Sequence, residues 1–233
     1  MLLHLPCVSL VLKMDCFWAE VTAGHKKVLK KFGISKTEEE IKKAYHLADK
    51  LFMRSYPHVI SQKPEEFLPW YLGVLNYNLG IKLNILDCYK ELKEEKKSGN
   101  AWHCIPGVVE TLKSLKEQGY HMGLISNWDS TCRQVLKDNG LLEYLEFSII
   151  SSEIGIEKPD YQIFSTALRC SGATGKDSLY IGDNYYDDVV GAQKVGMDVV
   201  LVNPYGTLGM EEIKDVKIIP CVSELQELLE SGV

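Results

Sequence analysis

Five short, nearly continuous apolar runs set the limits on what this chain can fold into: Val8–Leu12, Met122–Ile125, Phe147–Ile150, Leu179–Ile181 and Val199–Val202. A strand with one face in water alternates apolar and polar residues, whereas a strand covered on both faces does not. The runs therefore predict a parallel sheet with helices on both sides. Helical patterns fall between them, over Val108–Gln118, Cys132–Asn139 and Tyr161–Cys170, with Gly119 and Gly140 placed as stops. Strand and helix alternating from about residue 105 to 205 predict a doubly wound, Rossmann-like α/β core.

Residues 20–100 read differently. They hold long amphipathic patterns without strand-like runs, roughly Glu20–Phe32, Thr37–Ser55, Pro64–Asn78 and Leu86–Lys97. Thr37 and Glu40 have the spacing of a capping box. The charged run Lys93–Lys97, followed by Ser98, Gly99 and Asn100, suits a return linker. The expected organisation is an α/β core built from 1–19 and 101–233 with an inserted all-helical cap over 20–100. Phe52, Tyr56, Phe67, Trp70, Tyr71 and Tyr77 are expected to fill the core of that cap. The lysines at 26, 27, 30 and 31 are read as solvated helix faces.

Composition excludes some function classes. The 233 residues carry a net charge of −6, which argues against a nucleic-acid binder driven by phosphate neutralisation. Seven scattered cysteines without a CxxC pair fit a reducing compartment rather than a disulfide framework or a zinc site. The apolar segment Met1–Leu12 has no basic leader and is too short to span a membrane, so it is read as a buried first strand. A soluble protein without a membrane partner is expected, with a cytoplasmic location as the default. Oligomeric state is not legible.

The chemistry concentrates where the strand ending at Ile181 runs through Gly182 into Asp183, Asn184, Tyr185, Tyr186, Asp187 and Asp188. Carboxylates at the end of a buried strand cost several kcal/mol of desolvation unless a cation compensates them. Mg²⁺ is suited to that place because it takes few protein carboxylates and leaves positions for a phosphate oxygen and water. Asp15, Ser126 and Asp183 all fall at the carboxyl ends of their expected strands, where ligands bind in such sheets.

The order Asp15, Ser126, Lys158–Pro159 and Gly182–Asp183 with Asp188 resembles the four motifs of the haloacid dehalogenase-like hydrolase superfamily. The run from Leu124 to Asp129 and the Gly182–Tyr185 run look similar to its group called haloacid dehalogenase-like hydrolase domain-containing protein 3. The resemblance covers residues 105 to 206 most closely. It implies a nucleophilic carboxylate at Asp15, phosphoryl contacts from Ser126 and Asn127, a point charge from Lys158, and Mg²⁺ held by Asp15, Asp183 and Asp188. Asp188 either binds the metal or orients its waters. Asn184 helps orient the site, and Asp187 is expected to be solvated.

The first motif departs from the family's pattern. It reads Asp15-Cys16-Phe17-Trp18-Ala19, with Phe17 where typical phosphatases carry an acid/base Asp, Trp18 in place of a glycine and Ala19 in place of a threonine. A second register would make Asp15 the acid/base residue and put Lys13 at the nucleophile's position. Three readings follow: a Mg²⁺-dependent phosphatase of a small phosphorylated metabolite, a weakened or inactive member serving as a binding module, and a metal-independent carbon–halogen hydrolase.

Overall fold

The computed structural model describes residues 9–12, 17–19, 21–57, 59, 64–96 and 102–231. In chain order the strands and helices are β1 (Ser9–Leu12), β2 (Phe17–Ala19), α1 (Val21–Lys31), α2 (Glu38–Ser55), α3 (Pro64–Asn78), α4 (Ile85–Lys96), β3 (Trp102–Cys104) and α5 (Val108–Glu117). There follow β4 (His121–Ser126), α6 (Cys132–Asp138), β5 (Phe147–Ile150), α7 (Ser151–Ile154), α8 (Tyr161–Ser171), β6 (Ser178–Gly182), α9 (Val190–Gln193), β7 (Asp198–Val202), β8 (Lys217–Ile219) and α10 (Leu225–Ser231). The chain forms two compact units. One comprises Met1–Phe17, Cys104–Thr207 and Glu211–Val233, and the other Trp18–His103 with Leu208–Met210.

The first unit is built on a six-stranded parallel sheet in the order β5-β4-β1-β6-β7-β8. This is the doubly wound sheet expected from the apolar runs. After β1 the chain lays β4 and β5 to one side, then returns to place β6, β7 and β8 on the other. The reversal puts the switch in strand order between β1 and β6, and sheets of this kind take their ligands at the carboxyl ends beside such a switch. Burial explains why the runs are apolar throughout: in β4 the five residues from Met122 to Ser126 are all buried, and all five residues of β6 are buried.

Close packing sets several small residues. A Cβ on Gly123 would lie 2.1 Å from the Phe147 ring on the neighbouring strand. Two apolar clusters cover the sheet. One gathers Leu112, Leu115, Leu136, Leu179 and Leu225, the other Ile125, Ile163, Phe164, Tyr180 and Met197. The three-residue strands β2, β3 and β8 have no counterpart in the sequence reading, because segments that short carry no periodicity to read. β2 pairs with β3 in a separate two-stranded sheet.

The second unit is helical. Val28, Leu29, Ile41, Ala48, Phe52, Leu72, Leu75 and Cys88 form its core. The capping box at Thr37 is present: its hydroxyl accepts the Glu40 N–H at 3.2 Å, and Glu40 Oε2 accepts the Thr37 N–H at 2.8 Å. Of the aromatic residues expected inside, Phe52, Phe67 and Tyr71 are buried, whereas Tyr56, Trp70 and Tyr77 are 48%, 61% and 84% exposed. Helical geometry accounts for the division. Trp70 and Tyr77 are seven apart on α3 and share a face, while Tyr71 and Leu75 point the other way. Within this unit His25 is buried, its ring edge-on to Tyr45 at 5.6 Å and its Nε2 4.0 Å from Cys88 Sγ. Among the described residues, no helix is long and apolar enough to cross a membrane.

Candidate active site

The sheet brings the ends of β4, β1 and β6 side by side. Leu12 on β1 stands opposite Leu124 on one flank and Ile181 on the other. Ser126 and Asp183 each lie two positions further along. Asp15 and Lys13, the two candidates for the first motif, lie outside the described residues, as do the side chains of Phe17, Trp18 and Ala19.

At the centre is a buried ion pair. Lys158 Nζ donates to Asp188 Oδ1 at 2.7 Å, with both side chains fully removed from solvent. Tyr180, also fully buried, brings its hydroxyl within 3.1 Å of both partners. The geometry closes a three-membered ring: the ammonium donates to the carboxylate and to the phenol oxygen, and the phenol O–H donates to the same carboxylate oxygen. Asp188 Oδ2 accepts the backbone N–H of Asp183 at 3.1 Å and of Asn184 at 3.0 Å. An ion pair out of water survives only when its remaining lone pairs and protons are satisfied in this way. Four donors on one carboxylate occupy the lone pairs it offers. Asp188 is thereby built to hold the loop and the lysine in place.

The acidic loop is shaped for this contact. Residues Tyr185–Val189 form one turn of π-helix, a rare geometry often found at functional sites. Asn184 caps it, its Oδ1 accepting from the N–H groups of Tyr186 and Asp187 at 3.0 and 3.3 Å. Asp187, expected to be solvated, is half-buried and accepts from Asn184 Nδ2 at 2.8 Å. The cap geometry draws it in.

Gly182 is present because nothing larger fits. A Cβ there would stand 2.3 Å from Asp188 Oδ2. Gly182→Ala is therefore expected to push Asp188 off its backbone donors and destabilise this unit by about 1–3 kcal/mol. A lowered urea midpoint in the full chain checks this, and an unchanged midpoint refutes it.

Ser126 is buried at the end of β4. Asn127 follows it and clamps the lysine's backbone, Oδ1 accepting the Lys158 N–H at 2.8 Å and Nδ2 donating to the Lys158 carbonyl at 3.1 Å. Its amide thus does positioning work on Lys158, in addition to any contact with a substrate. The neighbouring Cys132 is not a nucleophile in waiting. Burial pushes its thiol up to about 11, outweighing Arg133 and a hydrogen bond with Ser126.

Of the three carboxylates expected to hold the metal, two are described: Asp183, half-buried just beyond β6, and Asp188, fully buried with its oxygens accepting from Lys158, Tyr180 and two backbone N–H groups. Carboxylate oxygens are the hard ligands that Mg²⁺ takes. Among the described residues, no three His, Cys, Asp or Glu side chains gather to hold a metal, and Asp15 lies outside them. Sequence reasoning missed the part played by Tyr180. Its signal was a polar-tipped residue in an otherwise apolar strand, since a buried phenol O–H usually finds a partner.

Comparison with known proteins agrees with this architecture. A mouse protein, haloacid dehalogenase-like hydrolase domain-containing protein 3, is 30% identical over 143 residues, covering 60% of this chain and 57% of its own. Glyceraldehyde 3-phosphate phosphatase of Methanothermobacter thermautotrophicus is 33% identical over 135 residues, covering 53% of this chain and 58% of its own. The chain thus matches little more than half the length of these relatives. A HAD-hydrolase of Bacillus subtilis, YfnB, solved bound to magnesium, shares the fold with a TM-score of 0.63 and 20% identity, covering 95% of this chain and 98% of its own. The haloacid dehalogenase-like hydrolase profile matches residues 19–202, most of the chain but starting beyond Asp15. With the profile spanning both units and the doubly wound sheet in place, the chain belongs to the haloacid dehalogenase-like hydrolase family.

Proposed function

We propose that the chain is a Mg²⁺-dependent phosphatase of a small phosphorylated molecule, with Asp15 as nucleophile. The observation that carries the reading is the buried Lys158–Asp188 pair beside the acidic loop. It holds a cation at the strand ends where an anionic substrate would bind. The phosphatase among the relatives supports the same class.

In this reading the Asp15 carboxylate attacks phosphorus as the ester P–O bond breaks, the leaving oxygen departs as its anion and takes a proton from water, and water then attacks the aspartyl-phosphate to release phosphate and restore Asp15. Ser126 and nearby backbone N–H groups donate to phosphoryl oxygens. Lys158 offsets the repulsion between nucleophile and substrate. Asp183 and Asp15 would hold Mg²⁺, which when bound neutralises charge on the phosphoryl oxygens. Asp188 orients the loop that presents Asp183. Phe17 has no proton to give a leaving group, so esters of acidic alcohols should turn over best.

The test is phosphate release from an aryl phosphate, with and without Mg²⁺, for the wild type, Asp15→Asn and Asp183→Asn. The expected result is metal-dependent turnover reduced by roughly 10³-fold or more in Asp15→Asn, and lost along with the metal dependence in Asp183→Asn. One observation favours a second reading, a weakened member that binds without turning over: the family profile begins only at residue 19, the last residue of the altered first motif. No release from folded wild type would select it. Trp18→Gly with Ala19→Thr should then restore activity if that loop alone is responsible.

A further inference from the structure

Tyr180 occupies a position that the proposed chemistry does not name. It sits in the middle of β6, the most central of the strands after β1, with its ring packed edge-on against Phe164 at 5.2 Å. Phenylalanine would fill that apolar slot equally well. The hydroxyl instead reaches the buried Lys158–Asp188 ion pair and bonds both members at 3.1 Å.

We propose that Tyr180 is a positioning residue that fixes the direction of the Lys158 ammonium; as an aid to catalysis this rests on the phosphatase reading above. An ammonium is a rotor with three N–H donors on a flexible four-carbon stem. A carboxylate contact by itself sets only one of the three donors. Two acceptors, Asp188 Oδ1 and the Tyr180 oxygen, set two of the donors and so define the axis of the third. The phenol O–H, donating to Asp188 Oδ1, locks the carboxylate from the other side. Asp188 is in turn tied to the backbone of Asp183 and Asn184, so the ring couples the direction of the lysine to the seat of the acidic loop.

The experiment uses the full chain labelled with ¹⁵N at lysine Nζ, as wild type, Tyr180→Phe and Lys158→Met. A buried, doubly anchored ammonium should give a slowly exchanging ¹⁵N–¹H signal, identified by its loss in Lys158→Met. In Tyr180→Phe that signal should shift and exchange faster. Phosphate release by the same protein should fall roughly 10-fold to 100-fold in kcat with KM little changed, the pattern of a misdirected catalytic group. A ring that merely stabilised the fold would lower the melting temperature and leave kcat alone.

An unmoved ammonium signal in Tyr180→Phe would overturn the proposal. So would a moved signal with unchanged kcat. If wild type releases no phosphate the function reading fails by itself, and the ammonium signal still decides whether Tyr180 directs the lysine. Should Tyr180→Phe fold poorly, 3-fluorotyrosine in the otherwise unaltered chain gives a ¹⁹F signal at residue 180. That signal should move in Asp188→Asn, and its staying fixed would refute the ring.

Discussion

Asp188→Ala is expected to lower the stability of the α/β unit by about 3–5 kcal/mol, because it takes from the fully buried Lys158 ammonium the carboxylate paired with it. Lys158 and Asp188 are both fully buried and 2.7 Å apart. The alanine also frees the N–H groups of Asp183 and Asn184, which the carboxylate held. Lys158→Met removes the other partner and should cost a comparable amount, since a fully buried carboxylate then loses the cation paired with it. Combining the two changes should cost well below their sum, because the second then removes the charge that the first left stranded. Urea unfolding of the four proteins closes the cycle. Additive losses would mean that the two charges do not depend on each other, contrary to the geometry.

The second large effect is set by pH. Burial lowers His25 from the usual 6.5 to about 4, and among the described residues its Nδ1 has no hydrogen-bond partner. The neutral ring therefore suits its place against Tyr45 and Cys88, and the charged ring does not. Above pH 6.5 neither the folded nor the unfolded state protonates it, and the full stability is present. As pH falls below 6.5 the unfolded chain takes up a proton that the folded unit refuses, and stability drops until the folded ring titrates near pH 4. The loss across that window is on the order of 3 kcal/mol. Hydrogen exchange along α1, followed from pH 7 to pH 5, should show progressively easier opening. His25→Leu should flatten that slope, and a slope that persists in the variant would place its origin elsewhere.

Much of the α/β unit was legible because burial on both faces writes strands as unbroken apolar runs. The runs at Met122–Ile125, Phe147–Ile150 and Val199–Val202 became β4, β5 and β7 within a residue or two. β2, β3 and β8 were not legible, being too short for a pattern. Among the site residues, Lys158, in the loop between α7 and α8, was singled out by the order of the motifs alone, whereas Ser126 and Asp183 could be placed in advance at strand ends. The hydrogen-bonding roles could not. Nothing in a one-dimensional sequence says that Asn127 will clamp the backbone of a residue 31 positions away, or that Tyr180 will reach past Phe164 to a carboxylate. The exposed Trp70 and Tyr77 show the converse limit. Aromatic content predicts a core, but the helical phase decides which rings enter it.

The helical unit is not one uninterrupted piece of chain. Leu208–Met210 belong to it, although they follow the last long strand of the other unit. His46 Nε2 lies 2.9 Å from the Leu208 carbonyl, and Gly209 rests against the stem of the buried Lys50, where an added Cβ would meet it at 3.0 Å. Recombination between relatives that exchanges only residues 18–103 would deliver helices cut to one tripeptide and leave behind another. A swapped cassette should therefore travel with its own 208–210 segment. Chimeras lacking it should show a loosened α2 around His46 and Lys50 while the donor and recipient remain sound.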